Sequence, residues 1–475
     1  MDRIIGREYE LSQLDKCYRS TSSQFVTLYG RRRVGKTSLV RYYFKDSFDF
    51  HVTGVLEGSR EDQEGSFYDA LVSYGYRGER PTGWKGYLKA LAGIIDTKKR
   101  KKRCVVFIDE LPCFDTENSG FLKEFSLFWN SKASWYDNLM LVVCGSATSW
   151  MIRNIVDSKG GLHNRQTHEI HLAPFNLYTT EQYFKAHKCK WDRLSILQIY
   201  MALGGIPYYL SLLDFDRSVA DNIDRLFFLP DAELAREYKR LYHSLYRNPE
   251  RYMNVIRLLA SHRNGLTRNE ISASLKIPTG TGLTNLLDDL VYCDFIRKYS
   301  NGGKRNSSIY QIVDLYTIFY LTFCTGTITD RAYWKHTINT PTQNSWCGLS
   351  FERVCLIHIW EIIQSMHLDV ILTECYAWRS KTSVPGAQID MIIDRADGIV
   401  NVCEMKYSRT EYRLDQDEYG RLLNRVDAFQ HETGTRSAIQ PVLITTFGNR
   451  RNTYSDFFSK VLTLNDLFVR NEEND

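Results

Sequence analysis

At 475 residues the chain is too long for one hydrophobic core, and about two to four domains are expected. Hydrophobic residues (43%) and charged residues (25%) are balanced as in soluble globular proteins, and the net charge of +5 permits a nucleic-acid partner without requiring one. No apolar run approaches the roughly 18 residues of a membrane-spanning helix, and the N-terminus lacks a signal-peptide core. We therefore expect a cytoplasmic protein with no membrane partner. The eleven cysteines form no CxxC pair, which argues against a zinc ribbon.

A phosphate-binding loop is predicted near the N-terminus. An apolar strand at Phe25–Tyr29 precedes Gly30-x-x-x-x-Gly35-Lys36-Thr37, and a helical pattern follows. Glycine at both ends of the loop lets backbone N–H groups face phosphate oxygens. Lys36 is expected to reach the β and γ phosphates of ATP, and Thr37 to hold Mg²⁺ through its hydroxyl. The predicted nucleotide-binding residues are Gly30, Arg31, Arg32, Arg33, Val34, Gly35, Lys36, Thr37 and Ser38.

Two further apolar strands end in polar residues that suit the same site. In "CVVFIDELP" a buried strand delivers Asp109 and Glu110 at its C-terminal end. Asp109 is expected to complete the Mg²⁺ shell, and Glu110 to polarise the attacking water. The alternative is a buried strand that ends in a solvated acidic turn. Ser146 follows the apolar strand that begins at Leu139 and could sense the γ-phosphate, although Gly-Ser at a strand end is also ordinary turn chemistry.

Three more motifs complete a family resemblance: Gly6-Arg7-Glu8 in "IIGREYELSQL", Arg165 in "GLHNRQTHEIHLAPF", and "GGIPYYL" at Gly204–Leu210. With them the chain resembles AAA-type archaeal and bacterial ATPases of the ATPase_2 type, which are STAND-related P-loop ATPases. The resemblance implies that residues 6–8 pack beside the adenine, that Arg165 lies near the γ-phosphate, and that residues 204–210 belong to a helical lid. A surface position for Arg165 and a structural role for residues 204–210 remain open.

The middle of the chain follows the plan of a winged helix, after a charged helical connector over residues 220–248. The predicted elements are a helix that ends near Gly265, a second helix that opens with the capping box Thr267/Glu270, a third helix over Leu283–Cys293, and hairpin strands Phe295–Tyr299 and Ser308–Ile312 around the turn Asn301-Gly302-Gly303.

The third helix of this module carries Asp288 and Asp289 and is poor in Arg and Lys. Basic residues stand instead on the hairpin, at Arg297, Lys298, Lys304 and Arg305. A protein-contact or structural role is therefore at least as well supported as base reading, and wing contacts to DNA phosphate stay open.

The C-terminal third contains "QIDMIIDRADGIVNVCEMK", which predicts two strands joined by a polar turn. Because side chains alternate along a strand, Glu404 and Lys406 share one face of the second strand. If the two strands pair, Asp390 and Glu404 converge on one Mg²⁺ or Mn²⁺ ion, with Lys406 beside it to orient a water and stabilise charge on a phosphate. Glu352 is placed in the first half of an upstream apolar helix. The alternative is a hairpin with solvated charges.

The order Glu352, Asp390, Glu404-x-Lys406 resembles the PD-(D/E)xK nuclease superfamily. The blocks "GAQIDMIIDRADGIVNVCEMKYS", "LITTFGNRRNTYS" and "LTLNDLF" resemble the domain DUF234, which is found fused to this ATPase type. The resemblance implies a restriction-endonuclease-like fold in which these four residues carry Mg²⁺-dependent DNA cleavage.

The expected fold class is α/β and multidomain, with three parts. Residues 1–215 form a P-loop parallel sheet with a helical lid, residues 216–325 a connector and winged helix, and residues 326–475 a nuclease-like α/β domain. The expected function is Mg²⁺-dependent ATP hydrolysis that regulates a DNA-directed nuclease-like domain. A STAND-like signalling or scaffold switch, whose C-terminal domain binds partners without cleaving, is the alternative. The expected ligands are ATP and Mg²⁺, with DNA, a homo-oligomer or a partner protein as further partners.

Overall fold

The structure is a computed structural model. It describes residues 4–98, 103–158, 160–300, 308–326, 328–380, 382 and 386–470. The chain divides into two compact units. Unit 1 comprises residues 1–174 and 239–249, and unit 2 comprises residues 175–238 and 250–474. The division into three domains made from the sequence stays a prediction. The residues Asn301, Gly302, Gly303, Lys304 and Arg305 of the predicted wing lie outside the described residues.

Unit 1 is built on a parallel sheet whose strands alternate with helices. The strands are β1 (Gln24–Tyr29), β2 (Phe50–Thr53), β3 (Cys104–Asp109), β4 (Leu139–Gly145) and β5 (His168–His171). The helices are α1 (Glu8–Arg19), α2 (Lys36–Phe44), α3 (Arg60–Ser73), α4 (Gly83–Thr97), α5 (Phe121–Ser131) and α6 (Thr148–Met151).

The strand order in this sheet is β2-β3-β4-β1-β5, and each described pairing is parallel. Every residue of β3 and β4 is buried, as expected for parallel strands covered on both faces. β1 lies inside the sheet, and the chain leaves it toward β2 on one side and later returns as β5 on the other. The carboxyl ends beside β1 therefore form the crevice in which open α/β sheets bind ligands. The α/β fold with a parallel sheet, predicted from the sequence, is confirmed.

Unit 2 begins with a run of helices. These are α7 (Leu177–Ala186), α8 (Arg193–Leu203), α9 (Pro207–Ser211), α10 (Val219–Ile223) and α11 (Glu233–Leu245), of which α11 continues into the residues of unit 1. The next elements are α12 (Pro249–Ala260), β6 (Leu266–Thr267), α13 (Arg268–Leu275), α14 (Thr281–Tyr292), β7 (Ile296–Ser300) and β8 (Ser308–Ile312). β6, β8 and β7 form a small antiparallel sheet in that order.

One boundary in this segment differs from its prediction. The capping box of α13 is present, since Thr267 and Glu270 bond reciprocally. The preceding helix, however, ends at Ala260 and not near Gly265. The side chains of Ser261 and His262 both donate to the carbonyl of Leu258, at 2.8 Å each, and so satisfy the last turn. Residues 261–265 are consequently a loop. The loop ends at Gly265, which adopts φ +70°, a conformation that favours glycine.

The remainder of unit 2 is a mixed sheet with helices. The helices are α15 (Leu315–Phe323), α16 (Tyr333–Thr337), α17 (Pro341–Ile357), α18 (Ile359–Ser365) and α19 (Gln416–Thr433). The strands are β9 (Thr373–Arg379), β10 (Gln388–Arg395), β11 (Ile399–Lys406), β12 (Ala438–Thr445) and β13 (Lys460–Leu462), in the sheet order β13-β12-β11-β10-β9. β9, β10 and β11 are antiparallel, whereas β11, β12 and β13 are parallel.

The placement of Glu352 in the first half of its helix was wrong. Thr340 caps α17 by accepting a hydrogen bond from the N–H of Gln343, and Pro341 takes the first helical position. The helix therefore starts before the apolar pattern does and ends at Ile357, so that Glu352 lies in its second half.

Gly205 has a steric role in unit 2. A Cβ atom at this position would lie 1.7 Å from the carbonyl oxygen of Phe175. The two backbones are also joined by a hydrogen bond from the N–H of Phe175 to the carbonyl of Gly205, at 2.7 Å. The loop between α8 and α9 thus packs directly on the strand-like segment before α7, and any side chain would separate them.

Gly205→Ala is expected to lower the free energy of unfolding by about 1–3 kcal/mol, because the methyl group overpacks against backbone that cannot move aside. Urea unfolding followed by circular dichroism measures the change. The matched control is Gly420→Ala in α19, where a Cβ meets nothing within 4 Å. That variant should be neutral or more stable by up to about 1 kcal/mol. Equal midpoints for Gly205→Ala and the unsubstituted protein would contradict the steric role.

Candidate functional sites

The loop after β1 has the backbone that a phosphate cradle requires. Gly30 adopts φ +144° and Gly35 φ +95°, both in the region that favours glycine. A Cβ at position 30 would lie 2.3 Å from the carbonyl oxygen of Leu172. α2 begins at Lys36, directly after the loop, so the N-terminus of this helix points to where an anion would bind.

Lys36 and Thr37 are both fixed at the mouth of this loop. Lys36 is buried, and its Nζ donates to the carbonyls of Gly30 at 2.8 Å and Arg31 at 3.0 Å. Thr37 Oγ1 donates to Asp109 Oδ2 at 2.9 Å, which joins the loop after β1 to the end of β3. Asp109 is buried and also accepts from the thiol of Cys144. The structure thus brings together the residues expected to hold Mg²⁺.

Glu110 and Ser146 meet beside this pair. Glu110 adopts φ +48° directly after β3, and its Oε2 accepts from the backbone N–H of Ser146 at 3.0 Å and from Ser146 Oγ at 2.9 Å. Ser146 follows β4, the strand next to β3. The carboxyl ends of three neighbouring strands, β1, β4 and β3, therefore supply the lysine, the hydroxyls and the two acids.

The two arginines taken from the family resemblance differ in their surroundings. Arg7 is buried, and its guanidinium donates to the carbonyls of Val34 at 3.3 Å and Ala173 at 2.8 Å, which ties residues 6–8 to the phosphate loop. Burial lowers the pKa of Arg7, while the carboxylate of Glu10, 3.0 Å away, acts in the opposite direction. Arg165 is exposed in the turn before β5, and its proximity to a γ-phosphate stays a prediction.

A second group of charged side chains lies in unit 2. β10 and β11 pair with Met391 opposite Cys403, so Asp390 and Glu404 are the next residues on the adjacent strands. Gln388 Nε2 donates to Asp390 Oδ1 at 2.6 Å. Burial, and then the charge of Glu352, raises the pKa of Asp390 to about 6 against the effect of the Gln388 bond; the charge of Glu404 contributes as well. Asp390 is therefore close enough to Glu352 and Glu404 to be repelled by both.

The carboxylates of Glu404 and Glu418 are held by basic side chains. Lys406 Nζ lies 2.9 Å from Glu404 Oε1 and 2.6 Å from Glu418 Oε1. Arg425 Nη1, on α19, lies 2.9 Å from Glu404 Oε2. Burial lowers the pKa of Lys406, but Glu404 and Glu418 outweigh burial and raise it overall. Lys406 is therefore a fully charged cation at neutral pH.

Glu352 is buried between two arginines. Its Oε2 accepts from Arg263 Nη2 at 2.8 Å and Nε at 3.2 Å, and its Oε1 accepts from Arg353 Nη1. Arg353 is fully buried and also donates to the carbonyls of Ile312 and Arg263. The Glu352 carboxylate thus joins an ion-pair triad in which Glu352 and Arg353 are buried and Arg263 is exposed.

Sequence reasoning missed several members of this group. Gln388 shares a strand face with Asp390 at a spacing of two, so alternation alone could have found it. Arg263, Arg425 and Glu418 come from other elements, and no local pattern connects them to the acids. Their discovery required the tertiary fold.

The oxygens of Asp390 and Glu404 are of the kind that Mg²⁺ and Mn²⁺ prefer, and they lie on adjacent strands, so their chemistry fits a divalent cation. Within the described ranges, no cluster of three or more His, Cys, Asp or Glu side chains with metal-binding geometry is found. The basic partners of Glu404 and Glu352 occupy the oxygens that such a cation would use.

The parallel sheet of unit 1 and the residues at its strand ends resemble those of P-loop ATPases. Residues 4–213 match the family model described as an ATPase domain predominantly from Archaea. This match supports ATP binding and hydrolysis by the N-terminal part of the chain.

The chain is 23% identical to an uncharacterized protein of Methanocaldococcus jannaschii over 404 residues, which is 82% of this chain and 84% of that protein. Among solved structures it is similar to the Walker-type ATPase of Pyrococcus abyssi, with a TM-score of 0.46 and 18% identity over 67% of this chain and 96% of that one. It is also similar to the ORC2 protein of Aeropyrum pernix, with a TM-score of 0.42 and 14% identity over 71% and 96% of the two chains.

Two further findings concern the described residues of both units. Across the part of the chain that the structure describes, no helix is both long enough and apolar enough to cross a membrane. The cysteines form no disulfide among the described residues, and most of them are buried.

Glu352→Gln is expected to lower the free energy of unfolding by about 3–5 kcal/mol, because it leaves the buried Arg353 guanidinium without its counter-charge. Urea unfolding followed by tryptophan fluorescence measures the loss. The control is Glu250→Gln, which removes an exposed pair with Arg257 at 3.3 Å and should cost about 0–1 kcal/mol. A loss for Glu352→Gln no larger than for the control would show that the triad is not a stabilising unit.

Proposed function

We propose that the chain is a Mg²⁺-dependent ATPase whose nucleotide state regulates a DNA-directed, nuclease-like C-terminal domain. For the ATPase, the observation that carries the proposal is the meeting of Lys36, Thr37, Asp109 and Glu110 at one edge of the sheet of unit 1. The match of residues 4–213 to an ATPase family model supports the same conclusion.

The residues of unit 1 act in distinct roles. Lys36 exchanges the carbonyls of Gly30 and Arg31 for the β and γ phosphates of ATP. Thr37 and Asp109 would hold Mg²⁺, which when bound would supply positive charge to the transferring phosphoryl group. Glu110 orients and polarises the attacking water, and Ser146 holds the Glu110 carboxylate in place and senses the γ-phosphate. Arg165 stabilises negative charge on the γ-phosphate.

Lys36→Ala should abolish nucleotide binding, because the phosphates lose their only buried ammonium partner among these residues. Glu110→Gln should retain binding but lower kcat for ATP hydrolysis by about 10²–10⁴-fold, since an amide is a far weaker base than a carboxylate. Binding is measured with a fluorescent ATP analogue, and turnover by phosphate release.

Lys89→Ala, at an exposed position on α4 of the same unit, serves as the control and should match the unsubstituted protein. Hydrolysis at the unsubstituted rate by both Lys36→Ala and Glu110→Gln would refute the ATPase assignment of this site.

The nuclease-like part of the proposal rests on the placement of Asp390 opposite Glu404, with Lys406 beside Glu404. Asp390 and Glu404 would hold the divalent cation, which supplies a polarised water and charge stabilisation. Lys406 orients that water and stabilises charge on the scissile phosphate. Arg353 joins the helix α17, which carries Glu352, to β8 through the carbonyl of Ile312. The segment from α12 to β8 is assigned as a winged helix whose basic hairpin contacts DNA phosphate.

Lys406→Ala and Asp390→Asn should each reduce Mg²⁺-dependent nicking of DNA by at least about 100-fold, because each removes a group that acts on the phosphate or the water. Supercoiled, linear and single-stranded DNA are incubated with and without ATP, and products are resolved on gels. Lys460→Ala, exposed on β13, is the control. No cleavage of any DNA form by the unsubstituted protein, or no effect of Lys406→Ala, would exclude the nuclease activity.

The second candidate is a switch in which ATP governs partner binding and the C-terminal domain does not cleave. The observation that favours it is the pairing of Glu352, Glu404 and Glu418 with basic side chains of the same chain. A gel-shift series against salt separates the two candidates. DNA binding through phosphate weakens steeply as salt rises, whereas a protein-binding module shows no such DNA complex.

A further inference from the structure

Glu352, Asp390 and Glu404 with their basic partners are called the carboxylate site of unit 2. One of these partners comes from outside residues 326–475, the predicted nuclease-like segment. Arg263 lies in the loop of residues 261–265, between α12 and β6. Its guanidinium donates twice to Glu352 Oε2, at 2.8 and 3.2 Å. Burial lowers the pKa of Arg263, and the charges of Glu352, Asp390 and Glu404 outweigh that effect and raise it. Arg263 is therefore bonded to Glu352 and lies near enough to Asp390 and Glu404 to be attracted by their charges.

The loop that carries Arg263 is clamped in place by side chains from several elements. The carbonyl of Arg263 accepts from Gln311 Nε2 at 2.8 Å and from Arg353. The carbonyl of Asn264 accepts from Tyr299 Oη and from Arg379 Nη2, each at 3.0 Å. The backbone at this point is thus held independently of the Arg263 side chain, which can leave Glu352 without unfolding the loop.

Three carboxylates of the site already have basic partners without a metal ion. Arg263, Arg353, Lys406 and Arg425 are paired with Glu352, Glu404 and Glu418. Asp390 adds a further negative charge, and Arg297 adds a positive charge near Asp390 and Glu352. A divalent cation would bring two more positive charges into this network. It can be accommodated only if a basic side chain moves away, because like charges at short range repel strongly where water is scarce.

Arg263 is the basic side chain best able to move. Its side chain is 56% exposed, whereas those of Arg353, Lys406 and Arg425 are 0%, 30% and 35% exposed. Lys406 is also bonded to two carboxylates. If Arg263 moved away, the buried Glu352 carboxylate would still have a counter-charge, because Arg353 remains bonded to it. The exposed guanidinium can turn to solvent at little cost.

We infer that Arg263 is a gate of the carboxylate site: it competes with the divalent cation for the negative charge of Glu352, Asp390 and Glu404, and metal binding requires its displacement. The inference rests on the proposed metal site at Asp390 and Glu404 and adds its regulation. A nucleic-acid phosphate is the natural acceptor for the displaced guanidinium, because a planar fork of donors matches phosphate oxygens. The metal ion and a DNA phosphate would then bind at the site together.

The test is a Mn²⁺ titration of the full-length protein without nucleotide, followed by electron paramagnetic resonance of the unbound ion. The signal assigned to the site is the part that Asp390→Asn removes. Arg263→Gln and Arg263→Met, which both remove the charge and keep a long side chain, are expected to tighten this binding on the order of tenfold, equivalent to about 1.4 kcal/mol. Using two variants makes the outcome independent of the folding of either one.

The control is Arg257→Gln, on α12 of the same unit, which removes an arginine whose exposed pair with Glu250 lies elsewhere. It should bind Mn²⁺ as the unsubstituted protein does. Equal Asp390-dependent binding by the unsubstituted protein and both Arg263 variants would overturn the gate and leave the metal site standing. If no variant shows Asp390-dependent binding, the metal site itself fails, and the gate fails with it.

Discussion

The compensation of buried charge is the constraint on which both sites depend. In unit 1 the Lys36 ammonium and the Asp109 carboxylate are buried within one crevice, and each is satisfied by groups of the neighbouring strand ends. In unit 2 the Glu352 carboxylate on α17 is satisfied by Arg353 and Arg263. A charge that is removed from water must find such partners or be neutralised. Chemistry is therefore concentrated where the fold can supply several polar groups at once.

The sequence alone predicted those structural features that depend on residues close together along the chain. The glycine loop, the buried strands β3 and β4 and the capping box of α13 were all predicted from local patterns, because each depends on residues within a few positions. The placement of Asp390 opposite Glu404 also followed, since alternation and a short turn restrict the register of a hairpin. These features needed no knowledge of distant packing.

Long-range partners and helix ends could not be predicted in the same way. Arg263 reaches Glu352 across 89 positions, and Arg425 reaches Glu404 across 21. Nothing in the local sequence pattern distinguishes these two arginines from others in the chain. The end of α12 and the start of α17 were misplaced because side-chain caps, at Ser261 and Thr340, overrode the apolar periodicity. Arg263, in the segment assigned as a winged helix, contributes to the second site. Treating that segment as a separate domain therefore hides its contact with Glu352.

The two sites differ in how strongly their own residues compete with a ligand. Lys36 is held by two neutral carbonyls, so a phosphate that replaces them offers a stronger, charge-assisted partner. The acids of unit 2 are held by guanidinium and ammonium groups, and a cation that replaces these must first break charge-assisted bonds of the same strength. The first site is therefore poised to accept its ligand from the internally bonded state. The second is stable as an ion-pair network, and under the proposed function it would hold a metal ion only where its basic side chains found other partners.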